Sequence, residues 1–116
     1  MIINLFKNSE DAQAYPAGQT IFSEGDDPGG MMYVVQEGEV DILVHGEHID
    51  TLGPCSFLGE IGLVAKKPRS ATAVAKTDCK LVPIDQKRFN FLVQQTPYFA
   101  LEVMQTIAER LRAYRG

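Results

Sequence analysis

Residues 57–72 read Phe-Leu-Gly-Glu-Ile-Gly-Leu-Val-Ala-Lys-Lys-Pro-Arg-Ser-Ala-Thr. Gly59 carries no Cβ, so another molecule can approach the backbone closely there. Residues 59–64 can form about one helical turn, whose free N–H groups and positive dipole end suit an anion. Arg69 supplies a planar fork of five donors that meets phosphate oxygens two at a time, and Ser70 sets a hydroxyl beside it. Glu60, acceptor-only when ionised, would repel a phosphate. Beside an anion site it makes sense as the acceptor for a neutral hydroxyl, such as that of a ribose. The combination points to a compact phosphorylated nucleoside.

The run Phe-Leu-Gly-Glu-Ile-Gly-Leu followed by Pro-Arg-Ser-Ala-Thr resembles the phosphate-binding cassette of cyclic-nucleotide-binding domains. That family includes the bacterial catabolite activator protein, protein kinase A regulatory subunits and cyclic-nucleotide-gated channels. The resemblance extends from about Tyr15 to Arg115. A lone Gly-Glu pair carries no information, whereas Glu60 followed nine residues later by Arg69, with strand-like sequence on both sides, is specific.

This resemblance implies a mainly β fold with flanking helices: a double-stranded β-helix (a jelly-roll-like β-roll) with a short cassette helix and C-terminal helices. It implies that Gly59, Glu60, Ile61, Arg69, Ser70 and Ala71 hold the cyclic phosphate and ribose. Arg69 and Ser70 would take the phosphate, and Glu60 the ribose 2′-hydroxyl. Ile42, Ile49 and Leu52 would form an apolar wall against purine and ribose. The last helix would lie over the ligand and bring Tyr114 to the base. The family pattern has a glycine where Cys55 stands, and Gly53-Pro54 is expected to supply the turn instead. Loss of one partner of a buried arginine–phosphate pair costs about 3–5 kcal/mol. Arg69→Ala is therefore expected to weaken binding at least about a hundredfold while leaving the fold intact.

The residues around the cassette fit that architecture. Short β-patterned runs recur at Thr20–Phe22, Met32–Gln36, Val40–Val44, Ile49–Leu52, Ala71–Ala75 and Lys80–Ile84, separated by Gly-, Pro- and Asp-rich turns. From Asp85 the period changes to that of a helix reaching about Gln95, with Phe89, Leu92 and Val93 on one face. Thr96-Pro97 is expected to open a second helix. Its stripe of Leu101, Met104, Ile107, Ala108 and Leu111 would dock on the β-roll or, where exposed, form a dimer or partner surface. Arg110, Arg112 and Arg115 sit in its last turns, where cations suit the dipole. The expected organisation is one cyclic-nucleotide-binding domain over residues 1–116, with the β-roll at about 15–84 and the helices at about 85–115.

Composition narrows the function classes. The chain is 45% hydrophobic and 22% charged, with 11 basic and 15 acidic residues and a net charge of −4. That balance argues against a nucleic-acid partner. No run approaches the ~18 apolar residues of a membrane span, and no leader peptide is legible; a cytoplasmic location is expected. Cys55 and Cys79 form no Cys-x-x-Cys pair, which suits a reduced compartment. His45 and His48 lack a third ligand at metal-site spacing. No Ser/His/Asp, Cys/His or carboxylate pair suggests catalysis, so no enzyme, metal or cofactor is expected. The expected role is a stand-alone sensor of cyclic AMP, more than cyclic GMP. It would act through an effector protein in trans or through homodimerisation by the C-terminal helix. The alternatives are a β-roll interaction module without nucleotide, a sensor of another small anion and, remotely, a cupin-like enzyme.

Overall fold

The computed structural model describes residues 6–115, with side chains described for residues 6–112. Among the described residues, eight strands precede the C-terminal helices: β1 (Gln13–Tyr15), β2 (Thr20–Phe22), β3 (Met31–Glu37), β4 (Val40–Val44), β5 (Glu47–Leu52), β6 (Phe57–Leu58), β7 (Thr72–Ala75) and β8 (Cys79–Asp85). Between β6 and β7 lies a one-turn helix, α1 (Glu60–Val64); α2 (Gln86–Gln95) and α3 (Tyr98–Arg115) follow β8. The strands pair antiparallel in two four-stranded sheets, ordered β1-β8-β3-β6 and β2-β7-β4-β5. The architecture is the expected β-roll. Strand β6 escapes sequence reading because two residues carry too little alternation to register, and of β1 only its end at Tyr15, before the Pro16-Ala17-Gly18 turn, is legible.

The two-residue side-chain period of a strand decides where the core sits. On β8, Cys79 and Leu81 turn toward the opposite sheet and pack with Val35 and Leu58 of their own sheet and with Val40, Ile42, Leu52, Ala73 and Ala75 of the other. Val82 and Ile84 face the other way, into a second cluster with Met32, Val34, Phe57 and Leu63. Phe99 and Val103 of α3 close that cluster. The Phe99 ring is surrounded by those of Phe6, Phe57 and Phe89, with centroids 6.3, 5.7 and 5.5 Å away.

Helix α2 begins as its sequence requires: the Asp85 carboxylate accepts from the Arg88 N–H at 2.8 Å. Helix α3 begins at Tyr98, one residue after the proline expected to open it. Its orientation differs from the expected stripe. Leu101, Met104 and Leu111 are 55%, 58% and 56% exposed. Of the expected stripe, the half-buried Ile107 does pack inward, and Phe99 and Val103 complete that face. The helix carries apolar residues on two faces, and the aromatic packing around Phe99 selects between them.

The turn before β6 also departs from expectation. Cys55 itself takes φ 77°, the left-handed region, so it performs the glycine's conformational task directly. Its N–H donates to the Val35 carbonyl at 2.8 Å, fixing the turn against β3. A left-handed non-glycine residue costs about 1–2 kcal/mol, partly offset by the stiffer unfolded chain. Thermal melts are expected to show Cys55→Gly raising stability by up to about 1 kcal/mol, and Cys55→Val lowering it by about 1 kcal/mol or more.

Candidate functional site

A cavity of about 310 Å³ opens between the second sheet, α1 and α3. Its floor and walls are apolar: Phe22 of β2, Ile42 and Val44 of β4, Leu52 of β5 and Leu58 of β6. One rim is the cassette, contributing Gly59, Glu60, Ile61, Gly62, Arg69, Ser70 and Ala71. Across it stand Ile107, Arg110 and Leu111 of α3.

Arg69 is the centre of the cassette. It is only 6% exposed. Nη1 donates to the Gly59 carbonyl at 3.0 Å, and Nη2 donates to the carbonyls of Pro28 and Met31 at 3.2 and 2.9 Å. The guanidinium lies over the Phe22 ring, 4.2 Å from its centroid, with the Tyr33 ring 6.0 Å away. Its Nε is buried without a hydrogen-bond partner. Burial lowers the Arg69 pKa from its ordinary value, opposed by Tyr33, Asp26 and Glu60. A bound anion would relieve the same desolvation cost and give Nε an acceptor. The backbone anchors the residue as well: its N–H donates to Asp26 O, and its own carbonyl accepts from Gly25 N–H, both at 2.8 Å.

Two glycines make room for this guanidinium. Gly59 has φ 75°, at the N-terminus of α1, and Arg69 Nη1 occupies the space a Cβ would take there. A Cβ on Gly62 would come within 2.8 Å of the same nitrogen and collide with the Pro28 ring.

Glu60 opens α1 and is 4% exposed. Its carboxylate is not free: Arg110 Nη1 donates to both oxygens, at 2.7 and 2.8 Å. Arg110 Nη2 donates to the Phe57 carbonyl. The pair joins α3 to the cassette across 50 residues of chain.

Of the residues expected to bind ligand, Gly59, Glu60, Ile61, Arg69, Ser70, Ala71, Ile42 and Leu52 all line this one cavity. Ile49 does not; partly buried on β5, it packs against the inter-sheet core. Register explains its exclusion, because the β4–β5 pairing shifts between Ile42 and Leu43. The side chain of Tyr114 lies outside the described residues. Arg110, by sequence a helix-end cation, is a cavity residue. A signal was available, since Arg110 continues the four-, four- and three-residue spacing of Phe99, Val103 and Ile107. Phe22 and Val44 had none, for their strands reach the cassette only through folding. His48 bonds to Asp41 and Thr51 at 3.1 and 2.9 Å, and His45 pairs with Glu24 at 3.1 Å. Among the described residues no group of three potential metal ligands converges, and no helix is long and apolar enough to cross a membrane.

Comparison with known proteins gives one consistent family. A family model described as the cyclic nucleotide-binding domain matches residues 12–96. Regulatory subunits of cAMP-dependent protein kinase from Eremothecium gossypii and Aspergillus niger are each 39% identical, over 71% and 72% of this chain. The matches cover 18% and 20% of those proteins, so the chain spans about a fifth of their length. Among solved structures, the catabolite activator protein of Thermus thermophilus superposes with a TM-score of 0.78 at 31% identity, covering 95% of this chain and 54% of that one.

Because the space beside Arg69 Nη1 is filled, a methyl group at Gly62 must displace either Pro28 or the guanidinium. Gly62→Ala is expected to destabilise the protein by about 1–3 kcal/mol in denaturant unfolding.

Proposed function

The chain belongs to the cyclic nucleotide-binding domain family, and from that premise we propose that its cavity binds cyclic AMP in preference to cyclic GMP. The observation that carries this reading is a buried guanidinium with an unpartnered Nε, in the lining of the same cavity as the Glu60 carboxylate. Arg69 and the N–H groups at the start of α1 hold the cyclic phosphate, with the exposed Ser70 hydroxyl at the rim. The spare lone pairs of Glu60 accept from the ribose 2′-hydroxyl. Ile42, Val44 and Leu52 supply the apolar wall for ribose and purine, and Ile107 and Leu111 cover it from α3. The preference for cyclic AMP rests on the two fungal relatives, whose names describe them as subunits of cAMP-dependent kinases.

The role is regulatory rather than catalytic, in the cytoplasm, within residues 1–116 as one binding domain. Output passes through a partner in trans or a second copy, and the exposed Leu101 and Met104 of α3, which lie outside the cavity, are the surface for it. A second reading has an observation in its favour. Arg69 is held by three carbonyls and Glu60 by Arg110, so this polar network is largely satisfied without any ligand. That suits a β-roll that serves as an interaction module.

Calorimetric titration with cyclic AMP, with cyclic GMP and 5′-AMP as competitors, separates the two. Saturable one-to-one binding selective for the cyclic phosphate is expected. No heat with any of them, from folded protein, leaves the interaction module. Since Arg69 also satisfies three carbonyls, Arg69→Ala is expected to cost stability in addition to affinity. Arg69→Lys, which keeps the charge but loses the fork, is the cleaner variant. It is expected to bind at least about a hundredfold more weakly while remaining folded.

A further inference from the structure

We propose that Arg110 is a positioning residue for the ligand, holding the Glu60 carboxylate charge-balanced so that it can accept a hydroxyl beside a bound anion. This rests on the cyclic-nucleotide reading of the cavity. The ionisable side chains lining the cavity are Glu60, Arg69 and Arg110, whose formal charges sum to +1. A cyclic phosphodiester carries one negative charge, so the filled cavity is neutral. Without Arg110 the lining would sum to zero, and the filled cavity would hold an uncompensated anion in an apolar surround, where charge is costly.

The contact geometry fits this role. Arg110 spends a single nitrogen, Nη1, on both Glu60 oxygens, and a carboxylate offers about four lone-pair sites. Acceptor capacity therefore remains for a ribose hydroxyl while the ion pair persists. The second donor, Nη2, is tied to the Phe57 carbonyl, at the start of the cassette. That tether fixes the fork relative to the strand leading into α1, so it neutralises Glu60 without needing to reach the phosphate. The Arg110 and Glu60 side chains are only 17% and 5% exposed, so the pair is little screened by salt.

A charge-balancing role is separable from a purely structural clamp between α3 and α1. Removing the clamp harms binding whatever stands at position 60, whereas removing the counter-charge harms it only while position 60 is an anion. Arg110→Met is expected to weaken cyclic AMP binding by about thirtyfold or more. Adding Glu60→Gln, which keeps an acceptor oxygen without the charge, is expected to restore at least tenfold of that loss, about 1.4 kcal/mol. Arg110→Lys is expected to bind at least about tenfold more tightly than Arg110→Met, because the charge rather than the fork is required. Thermal melts of each variant verify folding before titration, and Arg110→Lys keeps the test available if Arg110→Met does not fold. A double variant no better than Arg110→Met, or Arg110→Lys as weak as Arg110→Met, would overturn the charge-balancing role and leave a structural clamp. Absence of nucleotide binding by the unsubstituted protein would instead overturn the cyclic-nucleotide reading itself.

Discussion

A guanidinium cannot be removed from water unless most of its donors find acceptors and its charge finds compensation. Arg69 meets that requirement with three backbone carbonyls from two distant segments, Gly59 on one side and Pro28 and Met31 on the other. Those carbonyls are reachable only because β3 and the cassette lie side by side and because two glycines vacate the space the side chain fills. Phe22, from a strand of the opposite sheet, supplies the ring beneath it. Both sheets and α1 are thus committed to the surroundings of one cation. The unfilled position at Nε marks where that commitment is incomplete.

The second ion pair gives the site its other boundary. Glu60 stands at the start of a one-turn helix, favoured there by the dipole, yet its partner comes from a helix near the far end of the chain. A pair so buried contributes little net stability, since desolvation of both groups offsets their attraction. Its consequence is geometric: α3 must present Arg110 inward, which also places Ile107 and Leu111 at the cavity. The aromatic cluster around Phe99 imposes the same rotation from the N-terminal half of the helix. Two unrelated interactions, one apolar and one ionic, agree on the orientation, and Leu101 and Met104 are left outside as a result.

Conformation at single residues tunes this frame. Cys55 occupies a left-handed position where a glycine would be unstrained, and the turn keeps its shape because the Val35 carbonyl holds the Cys55 N–H. Tertiary hydrogen bonding here overrides local preference. Gly53-Pro54, which looked like the turn from sequence, contributes instead through the Gly53 carbonyl, the acceptor for the Ser56 N–H at 3.2 Å.

What the sequence by itself determined was local. Alternation of apolar residues set six of the strands, Asp85 set the start of α2, and the spacing of Gly59, Glu60 and Arg69 set a cassette in which one-turn geometry leaves few options. Eight of the ten residues expected at the ligand line the cavity; one of the others, Tyr114, lies outside the described side chains. The tertiary structure alone decided which face of α3 turns inward, that Arg110 pairs with Glu60, and that Ile49 belongs to the core rather than the cavity. It also decided that Arg69 rests on Phe22. Each of these depends on register or rotation between segments far apart in the chain. A helix with two apolar faces and a sheet with a bulge each admit more than one such arrangement, until packing and charge select one.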